Sequence, residues 1–442
     1  MQFDYFKKTS ARWNCLKKID TLGEFDFCTN VIGLSSLISS SVRDISAKMI
    51  SDEPLNLASF ERLYRVLPLA THEYVHFLDS TSTAWGMHRL MLMSKAYSCT
   101  RTDENKFFIL KNFYDHLRRL KFPEYYTTLD ESVNATLPWT CHQTSGVEFT
   151  SEGKPGTRPI VFIRLFNSAR EAITRTPISM VSLLENSAMA QEIEIRVQLV
   201  NRLTEGRLVE EKILERYLKD HVYNPELAEY SICAHLFSST QKCENLHVAF
   251  SCSAAISRLV LNATSEIFDT VKRNLKNYYN KYGVHSGSKS AAAVKAALGH
   301  RNYGVLFYLI VMQLPTGAAL GKSEFNYGVA FALSSLGISL ELINDKARTA
   351  MKTAYGEISG GSSFYLRQLG DAGIKNFEEY HKIFDDLYFP DLHLPPSLLS
   401  DDSIFDFGSS ALNELRSLDI NSMYKELVAG QIRVEAFGAA CL

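Results

Sequence analysis

Residues 71–79 read Thr-His-Glu-Tyr-Val-His-Phe-Leu-Asp, which places His72, Glu73 and His76 in a His-Glu-x-x-His pattern. This pattern constrains the chain more than any other feature, because its chemistry works only on a helix. At about 100° per residue, His72 and His76 fall about 40° apart and one turn apart, so both imidazoles can reach one tetrahedral zinc ion. Glu73 flanks them, where its carboxylate can reach a water beside the ion without binding the ion itself, the position a general base needs. Leu67, Pro68, Leu69 and Ala70 precede the motif and put it on a largely buried helix over about 68–79. Two histidines and a glutamate are costly there unless a metal or hydrogen bonds satisfy them. The plainer alternative is a partly exposed helix face carrying ordinary His and Glu.

Two histidines do not hold a catalytic zinc; a third protein ligand is required, leaving a position for water. A helix over about 177–203, whose start is signalled by Thr176-Pro177, carries Glu185 and Glu192. Glu185 sits among Val181, Leu184, Ala188 and Met189, an apolar and small-residue face where a lone carboxylate is expensive and a metal accounts for it. It is the first choice for the third ligand. Glu192, seven residues on and nearly on the same face, either hydrogen-bonds a ligand histidine or exchanges roles with Glu185. Asp79 is a further candidate for such a supporting hydrogen bond. A tyrosine hydroxyl or protonated histidine would steady the developing oxyanion. Tyr223, Tyr230 and His235 lie around the helix start at Asn224-Pro225, and Tyr230 is the first choice.

The His-Glu-x-x-His helix with a downstream helical glutamate resembles the gluzincin branch of the zincin metallopeptidases, thermolysin-like enzymes among them. That resemblance implies His72, His76 and Glu185 as zinc ligands, Glu73 as general base, and a protein or peptide as substrate. The longer string from His72 through Phe77 to Ser80-Thr81-Ser82-Thr83 and Gly86 is also similar to uncharacterised bacterial proteins with an extended motif of this kind. The metzincin branch fits less well: its third ligand stands where this chain has Ser82, and its glycine position holds Asp79. There are departures from the gluzincin pattern too. Glu185 follows Leu184 rather than Asn, and Met189 stands where an Asp is usual. The gap of 185 − 76 = 109 residues exceeds that of thermolysin-like enzymes, so the region between reads as a large insertion.

The rest of the chain reads as mainly α (α+β): a helical zincin-like core, a small β-hairpin or sheet region, and a helical C-terminal part. Apolar residues recur at helical spacing. The best strand signals are Val147-Glu148-Phe149-Thr150 and Ile160-Val161-Phe162-Ile163, flanking a Gly/Pro connection over 151–156, with a weaker alternation at Phe25 and Phe27. Pro68 either kinks the helix that begins after Ser51-Asp52-Glu53-Pro54 or starts a new one. The polar stretch 282–290 reads as a linker, giving a catalytic region over 1–284 and a helical region over 285–442. Its Gly-Ser-Lys-Ser piece lacks the earlier glycine and preceding strand of a phosphate-binding loop.

Forty-seven Lys plus Arg against 49 Asp plus Glu leave a net charge of −2, with no basic excess for a nucleic acid and no visible basic patch. The apolar run Val305–Met312 is too short to cross a bilayer and reads as a core helix. Eight cysteines without a Cys-x-x-Cys pair, and no secretion pattern in Met1 to Trp13, point to a cytoplasmic protein with reduced thiols. The expected function is that of a zinc metallopeptidase with few targets. The competing readings are a noncatalytic helical scaffold, and a zinc hydrolase of a nonpeptide amide or ester. Substrate and oligomeric state are not legible.

Overall fold

Asn56 opens the longest helix by accepting a hydrogen bond from the Ser59 N–H. In the computed structural model, which describes residues 22–43, 45, 53–100, 104–150, 152–382, 387, 389–407 and 413–440, this helix runs unbroken through Pro68. The expected cap at Ser51-Asp52, the segment Met1 to Trp13, Ser151, Cys15 and Cys441 lie outside the described residues. The helices used below are α1 (Leu57–Thr81), α2 (Ala84–Tyr97), α3 (Met180–Asn201), α4 (Ala228–Gln241), α5 (Leu246–Leu261), α6 (Tyr303–Gln313), α7 (Phe364–Tyr380) and α8 (Ile420–Ala440). The strands are β1 (Glu24–Phe25), β2 (Ile32–Leu34), β3 (Thr128–Leu129), β4 (Thr140–Phe149), β5 (Pro155–Phe166), β6 (Ala172–Pro177), β7 (Ser397–Leu399) and β8 (Ile404–Phe405). The fold is mainly helical with a small β region, as the sequence predicts.

The chain divides into two compact units of interleaved stretches. Met1–Leu120, Gln191–Glu215 and Arg348–Leu442 form the first; Lys121–Ala190 and Arg216–Ala347 form the second, which includes the polar stretch 282–290.

In the first unit α1 is the central element, and every residue from Val66 to Thr81 on it is buried. Glycines let other helices approach its C-terminal end closely. A Cβ at Gly373 of α7 would stand 2.3 Å from the Thr81 carbonyl oxygen, and one at Gly86 of α2 the same 2.3 Å from that of Asp79. Tyr97 of α2 lies so near α8 that a Cβ at Gly430 would fall 2.3 Å from its ring. A four-stranded sheet in the order β1-β2-β7-β8 completes the unit, with β2 and β7 parallel and the other pairs antiparallel.

The second unit holds an antiparallel sheet in the order β3-β6-β5-β4. The expected hairpin is there: β4 pairs with β5 from Thr140↔Phe166 to Phe149↔Pro155. Thr176-Pro177, expected to open α3, instead ends β6, where Pro177 pairs with Phe162. The helix starts three residues later because Ser179 and Ser182 exchange backbone N–H to side-chain hydrogen bonds at 3.2 and 3.1 Å, a reciprocal cap. The apolar run does form a core helix, α6, in which Val305 to Met312 are all buried. A Cβ at Gly304 would meet the Ile178 carbonyl at 2.2 Å, so α6 fixes the entry of α3. Asn186 of α3 is held between Ser257 and Ser253 of α5, at 3.1 and 3.0 Å. Among the described residues no single helix is long and apolar enough to cross a membrane, and the two helix pairs that qualify in combination are bent by 107° and 76°. No disulfide joins the described cysteines.

Candidate metal centre

The burial of α1 puts His72, Glu73 and His76 away from water together, at 6%, 3% and 1% exposure. Their spacing brings the two rings edge to face, with Nε2 of His72 and Nε2 of His76 3.2 Å apart. Two ligands of a tetrahedral zinc with bonds of about 2.0–2.1 Å stand about 3.3–3.4 Å apart, so this pair fits the ion. Glu185, buried on α3, completes a group in which one ligand atom from each residue lies within 4.8 Å of the others. These are the three residues that the sequence points to as ligands, and two imidazole nitrogens with one carboxylate make a donor set suited to zinc. Burial and the neighbouring His72 push the His76 imidazole well below its usual range, which keeps it neutral and able to donate a lone pair.

Glu192, two turns after Glu185, takes the supporting place. Its Oε2 lies 3.0 Å from Nδ1 of His72, while Arg196 donates to its Oε1 at 2.8 and 3.1 Å. Burial works to raise the Glu192 carboxyl, but the hydrogen bond with His72 and the charge of Arg196 outweigh it and hold the group at about 2. The ionised carboxylate therefore keeps the proton on Nδ1 and turns the Nε2 lone pair of His72 toward His76. Arg196 is itself steadied over the Tyr64 ring at 4.7 Å. Glu192 and Arg196, four apart on one helix, are a pair whose spacing is readable in the sequence.

Glu73 faces backbone. A Cβ at Gly23 would lie 2.9 Å from its Oε1, so the residue before β1 must be small for the carboxylate to stay where it is. The turn 26–31 that joins β1 to β2 is clamped beside the site. Asp26 accepts from Cys28 N at 2.8 Å and Thr29 Oγ1 at 2.7 Å, and Asn30 takes a left-handed φ of 56°. Fully buried Arg89 of α2 donates to the Phe27 and Ser80 carbonyls and to Asn30. Phe27, thus held, lies 6.5 Å from the His76 ring. Neither Gly23 nor Arg89 was legible as part of the site, since contacts across this sequence distance leave no local pattern.

The remaining candidates are placed as follows. Asp79 is buried and accepts a 2.7 Å hydrogen bond from Tyr380 of α7. Tyr230 is a buried residue of α4. His235 gives its Nε2 to the Val222 carbonyl at 2.9 Å and stacks on Trp139 beside Tyr223, and burial lowers it to about 4. His235 and Tyr223 are accordingly a packed aromatic group. Comparisons with protein-family models, with curated proteins and with solved structures give no match.

Proposed function

We propose that this chain is a zinc-dependent peptidase that hydrolyses peptide bonds of a restricted set of cytoplasmic targets. The observation that carries the reading is the convergence of His72, His76 and Glu185 from two helices, with Glu192 bonded to the outer nitrogen of His72 and Glu73 next to His72 on the same buried helix. A buried group of this composition is costly without a cation to balance it. His72, His76 and Glu185 would hold the ion, and zinc, when bound, would supply Lewis-acid polarisation of a carbonyl and of water.

The chain's own residues supply the rest. Glu192 orients His72 through Nδ1. Glu73 takes a proton from the attacking water at Oε1 or Oε2 and returns it to the leaving nitrogen, so one carboxylate serves as base and then as acid. Phe27 and the apolar wall of α1 keep bulk water from the histidines. Tyr230 is the proposed donor to the developing oxyanion.

The test combines metal content with cleavage. Purified protein should carry near one zinc per chain, lost in His76→Ala and in Glu185→Ala. In a peptide library, Glu73→Gln should keep the zinc and lose cleavage by at least about a hundredfold, the scale expected for a general base. Folded wild type that takes up no zinc, even when zinc is supplied, would refute the proposal.

A further inference from the structure

Basic side chains that the sequence spreads over 24 positions meet at one cavity of about 930 Å³ in the second unit. The helix Ser265–Arg273 ends in Lys272 and Arg273, the helix Lys276–Tyr282 begins with Lys276, and the helix Lys289–Gly299 contributes Lys295. All four line the cavity. His285, from the turn between the last two helices, lines it too, so the polar stretch that reads as a linker forms part of the wall.

The charge is unbalanced. Among the described residues on the wall, Asp269 alone is acidic, against four cations. None of those four has an ion pair among the described residues; Glu266, on the same helix as Lys272, is taken by Lys346. Basic residues in the last turn of a helix complement its dipole, which accounts for Lys272 and Arg273 but not for Lys276 or Lys295. Two of the four side chains also lie against neighbouring structure. Lys295 Nζ lies 6.0 Å from the centre of the Tyr279 ring, and Lys272 Nζ is 3.1 Å from where a Cβ of Gly299 would stand.

We propose that this cavity binds a small ligand carrying several phosphates, a nucleoside polyphosphate or an inorganic polyphosphate. Four like charges gathered around a single counter-charge repel, and a compact polyanion removes that repulsion while accepting hydrogen bonds from each ammonium and from the guanidinium. The volume lies within the roughly 300–1,000 Å³ of small-molecule sites. The cations converge on one cavity instead of forming the long stripe that a nucleic-acid backbone needs. This site is independent of the metal centre, and its failure or success leaves the peptidase reading untouched.

The experiment is calorimetric titration of the full-length protein with sodium tripolyphosphate, ATP and adenosine, each at low and at physiological salt. Tripolyphosphate and ATP should bind, more weakly in the higher salt, and adenosine should not. Equal affinity of the two phosphates assigns the site to the polyphosphate chain; a clear advantage for ATP assigns it to a nucleotide. The combined variant Lys272→Gln, Arg273→Gln, Lys276→Gln and Lys295→Gln, all exposed positions, should lose at least about tenfold in affinity with unchanged circular dichroism and zinc content. A control change at exposed Lys212→Gln should do nothing. The proposal fails if neither phosphate binds at millimolar concentration, or if the combined variant binds as well as wild type. It fails equally if a single-stranded 20-mer oligonucleotide binds more than tenfold tighter than both small probes through the same four residues.

Discussion

At His72 one hydrogen bond decides which nitrogen faces His76 and the proposed metal position. Glu192 holds the proton on Nδ1 and Arg196 holds Glu192 ionised. Glu192→Gln keeps a hydrogen-bonding atom there but removes the charge, so zinc affinity should fall by about 10–100-fold while Glu185→Ala abolishes binding; competition with a chromophoric chelator distinguishes the two. Asp26 makes a separate prediction. Burial lifts its carboxyl from 3.8 to about 6 against the hydrogen bonds of Cys28 and Thr29. The folded state then binds more protons than the unfolded state between those values, so this group's contribution falls as pH rises through them. Relative to Asp26→Asn, wild type should lose up to about 3 kcal/mol between pH 4 and pH 7 in urea titrations. The histidine pair was legible because its partners lie one turn apart in sequence. The choice between Glu185 and Glu192 was not, because it rests on which carboxylate oxygen reaches which imidazole nitrogen across 120 residues.

Among the elements, α1 depends on how closely α7 can approach it. Gly373→Ala places a methyl against the Thr81 carbonyl and should destabilise the protein by about 1–3 kcal/mol, the usual cost of overpacking, with a parallel drop in zinc retention. Thermal unfolding with and without added zinc measures both. Element identity was readable from periodicity: α1, α3, α4, the β4–β5 hairpin and the α6 core helix all form. Element starts were less so. Asn56 caps α1, and Thr176-Pro177 closes a strand because Pro177 finds a partner in Phe162. A proline after a threonine signals a chain that cannot continue a ladder as readily as one that begins a helix.

Over the whole molecule, neither unit is one continuous stretch of chain. A fragment ending at residue 284 would remove Arg348–Leu442 from the first unit and part of Arg216–Ala347 from the second. Such a fragment should lack a cooperative urea transition, and size-exclusion chromatography should find it aggregated. The same interleaving sets a timetable during synthesis. The α1 helix leaves the ribosome before α7, which covers its C-terminal end and belongs to the last of the three stretches of the first unit. At about 5–20 residues per second, some 10–50 s separate Leu120 from Arg348. For that interval the histidine helix lacks the cover of α7, so a nascent chain stalled before α7 should recruit chaperones that the finished protein does not need.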